Sequence, residues 1–431
     1  MASISGTNVQ VAENQRTVAA TRACADSGLE VVRYWMSQVV LSGSTPVEQR
    51  FASVGASLED VVANIGMTGL TPVCTATTIS FSDVALSAAQ GETFSAVLTK
   101  IDDDNMQLDV TGRHGSFART IRTNYLFAPQ ASPIFDYGVA SRGPVSMQGN
   151  VGLEGLTSDD EATTYIESLG SIIALSITGN SHIAGDVKIV NPLASVDLKG
   201  GKAGIGGATG SDATLEPFTT IGVPAAEFPV MEPTVFATYA TTSLDPNLAT
   251  SAHAVLENII VPPNTNPTFS GHATIRGIVY IETPNIVTFT GQSDVTGIIV
   301  GNGDPTDDSA TNSISFRGNV NSWPVGDLPS DPQFDGIRDE VGTFVIAPGF
   351  HVSFGGHFEG MSGAVAANGI EFFGKAGGTV NGSLINYSEN PMTFRGNTDV
   401  YFDRSGQTQV PAGFVPEIVL QYDGSTYCEI I

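Results

Sequence analysis

A repeat of about 20 residues constrains this chain more than any other feature of its sequence. The eleven residues from Phe269 and the eleven from Phe289 superpose position for position, as FSGHATIRGIV and FTGQSDVTGII. An earlier segment from Ile177, ITGNSHIAGDV, fits the same template. Each copy has an apolar residue, a hydroxyl, a Gly, and then alternating β-branched residues around a second Gly. One copy is too short to bury its own apolar face, so the copies must stack.

Further apolar–x–Gly starts continue the repeat towards the C-terminus. They lie at Phe316, Phe354 and Phe394, with Phe373-Gly374 as a weaker copy. The spacings from Phe269 onward are 20, 27, 38, 19 and 21 residues. Short strands at this spacing, with Gly at corners that need a positive φ, predict a right-handed parallel β-solenoid. The fold class expected is therefore mainly β.

The amino-acid composition argues against some classes of binding partner. The formal net charge is −26, with 18 basic and 44 acidic residues, so we expect no nucleic-acid partner. The chain has no apolar run long enough for a membrane span, and its three cysteines have no metal-binding spacing. Acidity of this size suits an exposed, solvated surface.

The N-terminal region has a different pattern. Residues 8–41 predict one amphipathic helix with Asn8 as its N-cap, and a second helix is predicted over 57–65. Alternating segments then predict an antiparallel β-meander up to about residue 127. Four residues of the first helix form an apolar stripe that we expect to pack against the meander or a neighbouring subunit: Leu29, Val32, Met36 and Val39.

The helix resembles the second half of the long N-terminal helix of type IV pilin-like proteins, particularly the minor-pilin class. The resemblance rests on AENQR from residue 12 and ADSGLEVVRYW from residue 25. It implies an extracellular or cell-envelope structural protein that assembles with itself or with other pilin-like subunits. In that family a hydrophobic membrane segment precedes such residues, so we expect that truncation or processing removed one. An ordinary packing helix is the alternative.

These observations predict three regions. Residues 1–130 are the pilin-like helix and meander. Residues 131–410 are a solenoid similar to the polymer-forming, bactofilin-like kind, with surface excursions at about 200–260 and 301–341. Residues 411–431 are expected to cap the last coil.

Carbohydrate chemistry is the main alternative function. Enzymes on β-solenoids place carboxylates on one strand face, and a pair of them can cleave a glycosidic bond. Four carboxylates are the candidates for a glycoside hydrolase or polysaccharide lyase, which would act on an extracellular polysaccharide: Glu282, Asp294, Glu359 and Glu371. Trp323 and Tyr280 would supply an aromatic platform in a glycan-binding groove. Ordinary polar residues on the outer side of the strands are the competing interpretation.

An acidic loop offers one candidate metal site. Asp304, Asp307 and Asp308 supply the carboxylate oxygens that calcium prefers, although their spacing matches neither an EF-hand loop nor the Gly-Gly-x-Gly-x-Asp calcium-roll repeat. Solvated loop residues are the simpler interpretation. The sequence therefore favours a structural or adhesive, pilin-like bacterial surface protein that displays a solenoid and needs no catalytic residues.

Overall fold

A computed structural model describes residues 2–67, 69–87, 91–209, 216–249, 251–405 and 410–430. The described chain is mainly β, with 46% strand and 18% helix. It divides into two compact units. The helix–sheet unit comprises Met1–Gln130 and Pro416–Ile431, and the parallel-sheet unit comprises Ala131–Val415.

The helix–sheet unit has two helices and one antiparallel sheet of seven strands, in the order β1-β33-β6-β5-β4-β3-β2. The helices are α1 (Ala2–Ser37) and α2 (Val47–Asn64). The strands are β1 (Val40–Leu41), β2 (Val73–Cys74), β3 (Thr78–Ser87), β4 (Glu92–Lys100), β5 (Asn105–His114), β6 (Phe117–Gln130) and β33 (Glu417–Ile430). The predicted helix followed by an antiparallel meander is confirmed.

The second half of α1 packs on this sheet because its apolar residues recur at helical spacing. Trp35 is buried between Phe81 and Phe94, with ring centroids 5.0 and 6.1 Å away. A Cβ at Gly112 of β5 would lie 2.2 Å from the amide nitrogen of Ala25, so only Gly permits the close helix–sheet contact. The predicted N-cap, Asn8, lies inside α1, because the helix already begins at Ala2.

The C-terminal segment is not a cap for the parallel sheets. Residues 417–430 form β33, which pairs antiparallel with β6 from Glu417↔Gln130 to Ile430↔Thr120. The sequence-based assignment of 411–431 is corrected here, because the free edge of β6 takes up this strand. The parallel-sheet unit is therefore inserted in the chain between two paired strands of the antiparallel sheet.

The parallel-sheet unit consists of two large sheets that the chain visits in alternation. The 14-stranded sheet contains β8 (Val145–Gly155), β10 (Ile173–Gly179), β11 (His182–Ile183), β13 (Ser195–Lys199), β14 (Gly204–Ile205), β15 (Ala208–Thr209), β19 (Thr268–Phe269), β21 (Ile286–Phe289), β23 (Ser313–Phe316), β26 (His351–Phe354), β27 (Gly360–Met361), β29 (Ile370–Phe372), β30 (Gly378–Val380) and β32 (Met392–Phe402). The 12-stranded sheet contains β7 (Val139–Ser141), β9 (Thr164–Ile166), β12 (Val187–Ile189), β16 (Thr219–Ile221), β17 (Thr242–Ser243), β18 (His253–Val261), β20 (His272–Glu282), β22 (Ser293–Asn302), β24 (Val320–Trp323), β25 (Thr343–Ala347), β28 (Ala364–Ala367) and β31 (Leu384–Asn386).

Short helices occur in the connections. They are α3 (Pro246–Ala249) and the 3-10 turns Pro133–Asp136, Asp159–Ala162, Glu216–Phe218, Pro233–Thr238, Val325–Asp327, Pro332–Phe334 and Ile337–Asp339. Among the described residues, no helix combines the length and apolar character needed to cross a membrane.

The strand order shows that the chain enters both sheets in the middle. It starts at β7 and β8, builds towards β16, and then runs through residues 222–241 to the opposite end. From β17 and β18 it builds back until β31 pairs with β7 and β32 pairs with β8. The first and last strands are thus neighbours, in register from Met392↔Val145 to Phe402↔Gly155.

The repeat is visible as a ladder of six stacked phenylalanines in the 14-stranded sheet. Neighbouring ring centroids lie 4.9–5.2 Å apart. The members are Phe269, Phe289, Phe316, Phe354, Phe372 and Phe394. The template selects Phe373 for the fifth position, but Phe372 occupies it, because its neighbours Phe354 and Phe394 pair with Phe372.

The repeat requires glycine at two positions, for two different reasons. Gly297 has φ +156, within the range that favours glycine. The first Gly of the template has another role, because a Cβ on Gly291 would lie 1.9 Å from the carbonyl oxygen of Gly271 in the neighbouring copy. At that position the close approach of two backbones, rather than a positive φ, requires glycine.

Both faces of the 12-stranded sheet are apolar. One face shares a continuous hydrophobic core with the Phe ladder. On the other face, Tyr280, Val300 and Ile346 occupy paired positions on three neighbouring strands. Phe228 and Phe334, from the two predicted excursions, belong to the same buried cluster as these three residues. The excursions therefore supply side chains that pack over this face.

Candidate functional site

The predicted catalytic carboxylates are separated by the fold. Asp294 lies in β22 of the 12-stranded sheet, and Glu371 lies in β29 of the 14-stranded sheet. Glu282 ends β20, and the exposed Glu359 lies between β26 and β27. Within the described part of the chain, no two of these side chains share a hydrogen-bonding partner. The four carboxylates thus belong to different strands or connections, and a paired-carboxylate mechanism stays a prediction.

Asp294 is held by neighbours along the sheet. Its Oδ2 lies 2.5 Å from His272 Nε2, and its Oδ1 accepts from Gln292 and Asn321, each at 3.1 Å. Burial acts to raise the pKa of Asp294, but the hydrogen bonds from Gln292, His272 and Asn321 outweigh it, so the pKa lies below its usual value. Glu371 pairs with Arg395 at 2.9 Å. Both carboxylates thus have structural partners.

The proposed aromatic platform does not form. Tyr280 is only 5% exposed, inside the cluster on the covered face of the 12-stranded sheet, whereas Trp323 is 41% exposed in β24. A buried ring offers no face on which a sugar can stack. The prediction for Tyr280 is corrected for this reason, since the excursions pack on this face instead of forming the walls of a groove.

The three acidic loop residues use their oxygens within the chain. Asp304 accepts from the amide and hydroxyl of Thr306, at 2.8 and 2.7 Å, which hold its pKa below the usual value. Asp307 accepts from the amide of Ser309, and Asp308 accepts from Asn368 and from the amide of Glu389. Among the described residues, no group of three or more His, Cys, Asp or Glu side chains is placed to hold a metal ion.

The predicted assembly stripe of α1 is buried within its own unit. All four residues are at most 4% exposed and belong to the core under the antiparallel sheet: Leu29, Val32, Met36 and Val39. This burial fulfils the predicted packing against the meander. It also means that these side chains are not available to a second subunit.

The same stripe continues, uncovered, towards the N-terminal half of α1. Val11 and Val18 lie two heptads and one heptad before the buried Ala25, and they are 49% and 36% exposed. Residues 10–16 are exposed on all sides of the helix. We call the helix face formed by Val11, Asn14, Gln15, Val18, Ala19 and Arg22 the open helix face; a shallow depression runs along it. The seven-residue spacing of Val11, Val18 and Ala25 is the signal that could have identified it.

Comparisons with known proteins add little to this geometry. No protein-family model and no curated protein sequence matches the chain. Among solved structures, it aligns with the crystal structure of the competence-associated pilin ComZ from Thermus thermophilus. That alignment has 13% sequence identity, covers 96% of this chain and 98% of that chain, and has a TM-score of 0.24. This score does not establish a shared fold.

Proposed function

We propose that this chain is a pilin-like structural subunit of a bacterial surface assembly, and that it displays the parallel-sheet unit. The observation that carries the proposal is the open helix face on α1. An amphipathic helix normally buries its apolar stripe, and here the stripe is covered from Ala25 onward but open at Val11 and Val18. A helix from a second copy of the chain is the occupant that we propose.

The chemistry of the open helix face suits helix–helix packing. Ala19 and the two valines are small and leave room for close approach, and Asn14 and Gln15 can hydrogen-bond across the interface. Burying a valine fully stabilises a contact by roughly 1.5–3 kcal/mol. Two valines per copy supply only a modest gain, so we expect weak association in dilute solution and stronger association where many copies are held together.

The position of the insertion supports display. The parallel-sheet unit leaves the antiparallel sheet after Gln130 and the chain re-enters it at Glu417, two residues that are paired across β6 and β33. Domains are commonly inserted where the two chain ends lie close together. We also propose that the two parallel sheets close into a right-handed solenoid, as the alternation of the chain between them favours.

Charge-introducing variants test the assembly proposal. The double variant V11E/V18E places carboxylates on the open helix face without touching the buried core, and V73E places one on β2, where Val73 is 64% exposed. Sedimentation equilibrium at increasing concentration should show weaker association for V11E/V18E and unchanged association for V73E.

Site-specific crosslinking identifies the occupant. A photo-crosslinking residue at position 18, introduced in the producing cells, should join to α1 of a second copy. A crosslink to another pilin-like subunit would replace the proposed self-association with mixed assembly. Unchanged sedimentation of V11E/V18E, together with no crosslink to a helix, would refute the assembly role of this face.

A further inference from the structure

The parallel-sheet unit contains a pocket, lined by both charged and apolar residues, that the proposed assembly role does not use. Its volume is about 460 Å³, within the range of small-molecule sites. It lies between the turn after β7, the loop after β9, the segment 225–228 and Glu389. We call it the Arg142 pocket.

Arg142 is held in the pocket by aromatic rings rather than by a carboxylate. Its guanidinium carbon lies 5.0 Å from the ring centroid of Phe228 and 5.3 Å from that of Tyr387. Both rings are buried, and the Tyr387 hydroxyl donates to the carbonyl of Pro229 at 2.5 Å. No acceptor among the described residues lies within hydrogen-bonding distance of the guanidinium. Its five N–H groups are therefore oriented but not paired within the protein.

Glu167 provides a complementary group nearby. It is half-buried, and burial raises its pKa, an effect that Arg142 opposes and Glu389 reinforces. It makes no ion pair with Arg142 within 4.0 Å, although both side chains line the same pocket. The pocket thus offers unpaired donors on one side and a carboxylate acceptor on another, with space between them.

The loop that carries Glu167 is fixed before any ligand binds. The Glu167 amide donates to the carbonyl of Ser141, and the Ser168 amide donates to the carbonyl of Arg142. Asn191 donates to the carbonyls of both Ser168 and Ser171, at 3.0 and 3.1 Å. Such preorganisation reduces the entropy lost on binding.

The charges select the class of ligand. The carboxylates of Glu167, Glu227 and Glu389 outnumber the single cation, Arg142, so a small anion is repelled. A cation would be attracted but would leave the guanidinium donors without an acceptor. A sugar hydroxyl accepts from arginine and donates to a carboxylate at once, without adding charge. Leu169, 66% exposed at the rim, can contact the apolar C–H face of a pyranose ring.

We propose that the Arg142 pocket binds a neutral sugar residue, with adjacent hydroxyls that bridge Arg142 and Glu167. The site is distinct from the glycan-binding groove predicted from the sequence, and it does not depend on assembly through the open helix face. It adds recognition of one saccharide unit to the displayed part of the chain.

Saturation-transfer NMR and calorimetry on the full chain test this proposal. The probes are glucose, galactose, mannose and N-acetylglucosamine at millimolar concentrations, with glucuronate and glucosamine as charged comparators. We expect at least one neutral sugar to bind saturably and more tightly than either charged sugar. Lack of saturable binding by any neutral sugar, or preference for a charged one, would overturn the proposal.

Variants locate the binding to the pocket. R142Q removes the guanidinium fork, and E167Q removes the carboxylate with almost no change in shape. Each should weaken binding about tenfold, the usual effect of losing a hydrogen bond to a charged group. R317Q is the matched control, because Arg317 is exposed directly after β23 of the 14-stranded sheet and does not line the pocket. R142Q also loses its aromatic contacts, so thermal melting must accompany it. Unchanged affinity in E167Q, whose fold is the least perturbed, would refute the bridging role.

Discussion

The register of the Phe ladder makes a quantitative prediction at two adjacent residues. Phe372 is fully buried, and its ring stacks at 4.9 Å on Phe354 and 5.2 Å on Phe394. Truncation of a buried Phe to Ala costs about 3–5 kcal/mol, and lost ring contacts add about 0.5–1.5 kcal/mol each. We therefore expect F372A to lower the free energy of unfolding of the parallel-sheet unit by about 4–8 kcal/mol.

The neighbouring variant F373A is the matched control. Phe373 is half-buried and lies over Gly355, where a Cβ would meet its ring at 2.5 Å. Its truncation leaves the ladder complete, so we expect a loss of about 1 kcal/mol. The same pair of variants tests which phenylalanine belongs to the ladder. The sequence template favours Phe373, whereas the strand register places Phe372 there.

Native-state hydrogen exchange is the suitable assay, because two compact units need not unfold in one step. Amide protection in peptides that cover β26 and β32 should fall about a thousandfold or more in F372A, since 1.4 kcal/mol is a factor of ten. In F373A it should fall less than about tenfold. Equal losses in the two variants, or a loss below about tenfold in F372A, would contradict the ladder.

Three further predictions follow from single positions. G291A should lower the melting temperature strongly, because its Cβ would lie 1.9 Å from a carbonyl oxygen, whereas G201A, in open space, should change it little. Burial lowers the pKa of His351 despite the opposing charge of Glu371, so the unfolded chain takes up the proton first as the pH falls. Stability to urea should therefore decrease as the pH falls through about 6.5 and below. This decrease should be smaller in H351Q. If stability falls with pH equally steeply in H351Q, His351 is not the source of the effect. A thiol reagent should modify two cysteines in the folded chain and Cys24 only after unfolding, because Cys24 is buried while two others are exposed: Cys74 and Cys428.

Local pattern was sufficient to predict much of the fold. The seven-residue spacing along α1 and the alternation after residue 74 predict a helix and a meander without any long-range information. The repeat from Phe269 likewise predicts short stacked strands, because each copy contains its own apolar face and its own Gly. These features depend on residues that are close together in the sequence.

Strand order could not be predicted in the same way. β32 and β8 pair over eleven residues that are about 250 positions apart, and only the free edges left by earlier strands determine that pairing. Likewise, β33 adds to β6 because that edge is open, although its sequence gives no sign of its partner. Phe372 and Phe373 are both apolar, so only the positions of Phe354 and Phe394 decide which of them enters the ladder.

The site predictions depended on neighbours across a sheet, which the sequence does not show. Alternation correctly places Asp294 on a strand, but it does not reveal that His272 and Asn321 occupy its adjacent positions. The excursions were predicted as surface loops, yet Phe228 and Phe334 are too large and apolar to remain in water. These large apolar residues could have indicated that the excursions cover a sheet face and bury Tyr280.

The hydrophobic cores of the two units are separate, which would allow one chain to combine the two proposed roles. The buried cluster of the helix–sheet unit contains only residues before 130 and after 416, and both clusters of the parallel-sheet unit lie between them. Substitutions in the Arg142 pocket or on its rim therefore leave the packing of α1 on its sheet intact. Because Gln130 and Glu417 remain paired whatever lies between them, the inserted unit can change its surface while the open helix face keeps its own geometry. The proposed assembly face and the proposed saccharide pocket can therefore be altered independently, so variants of one provide controls for the other.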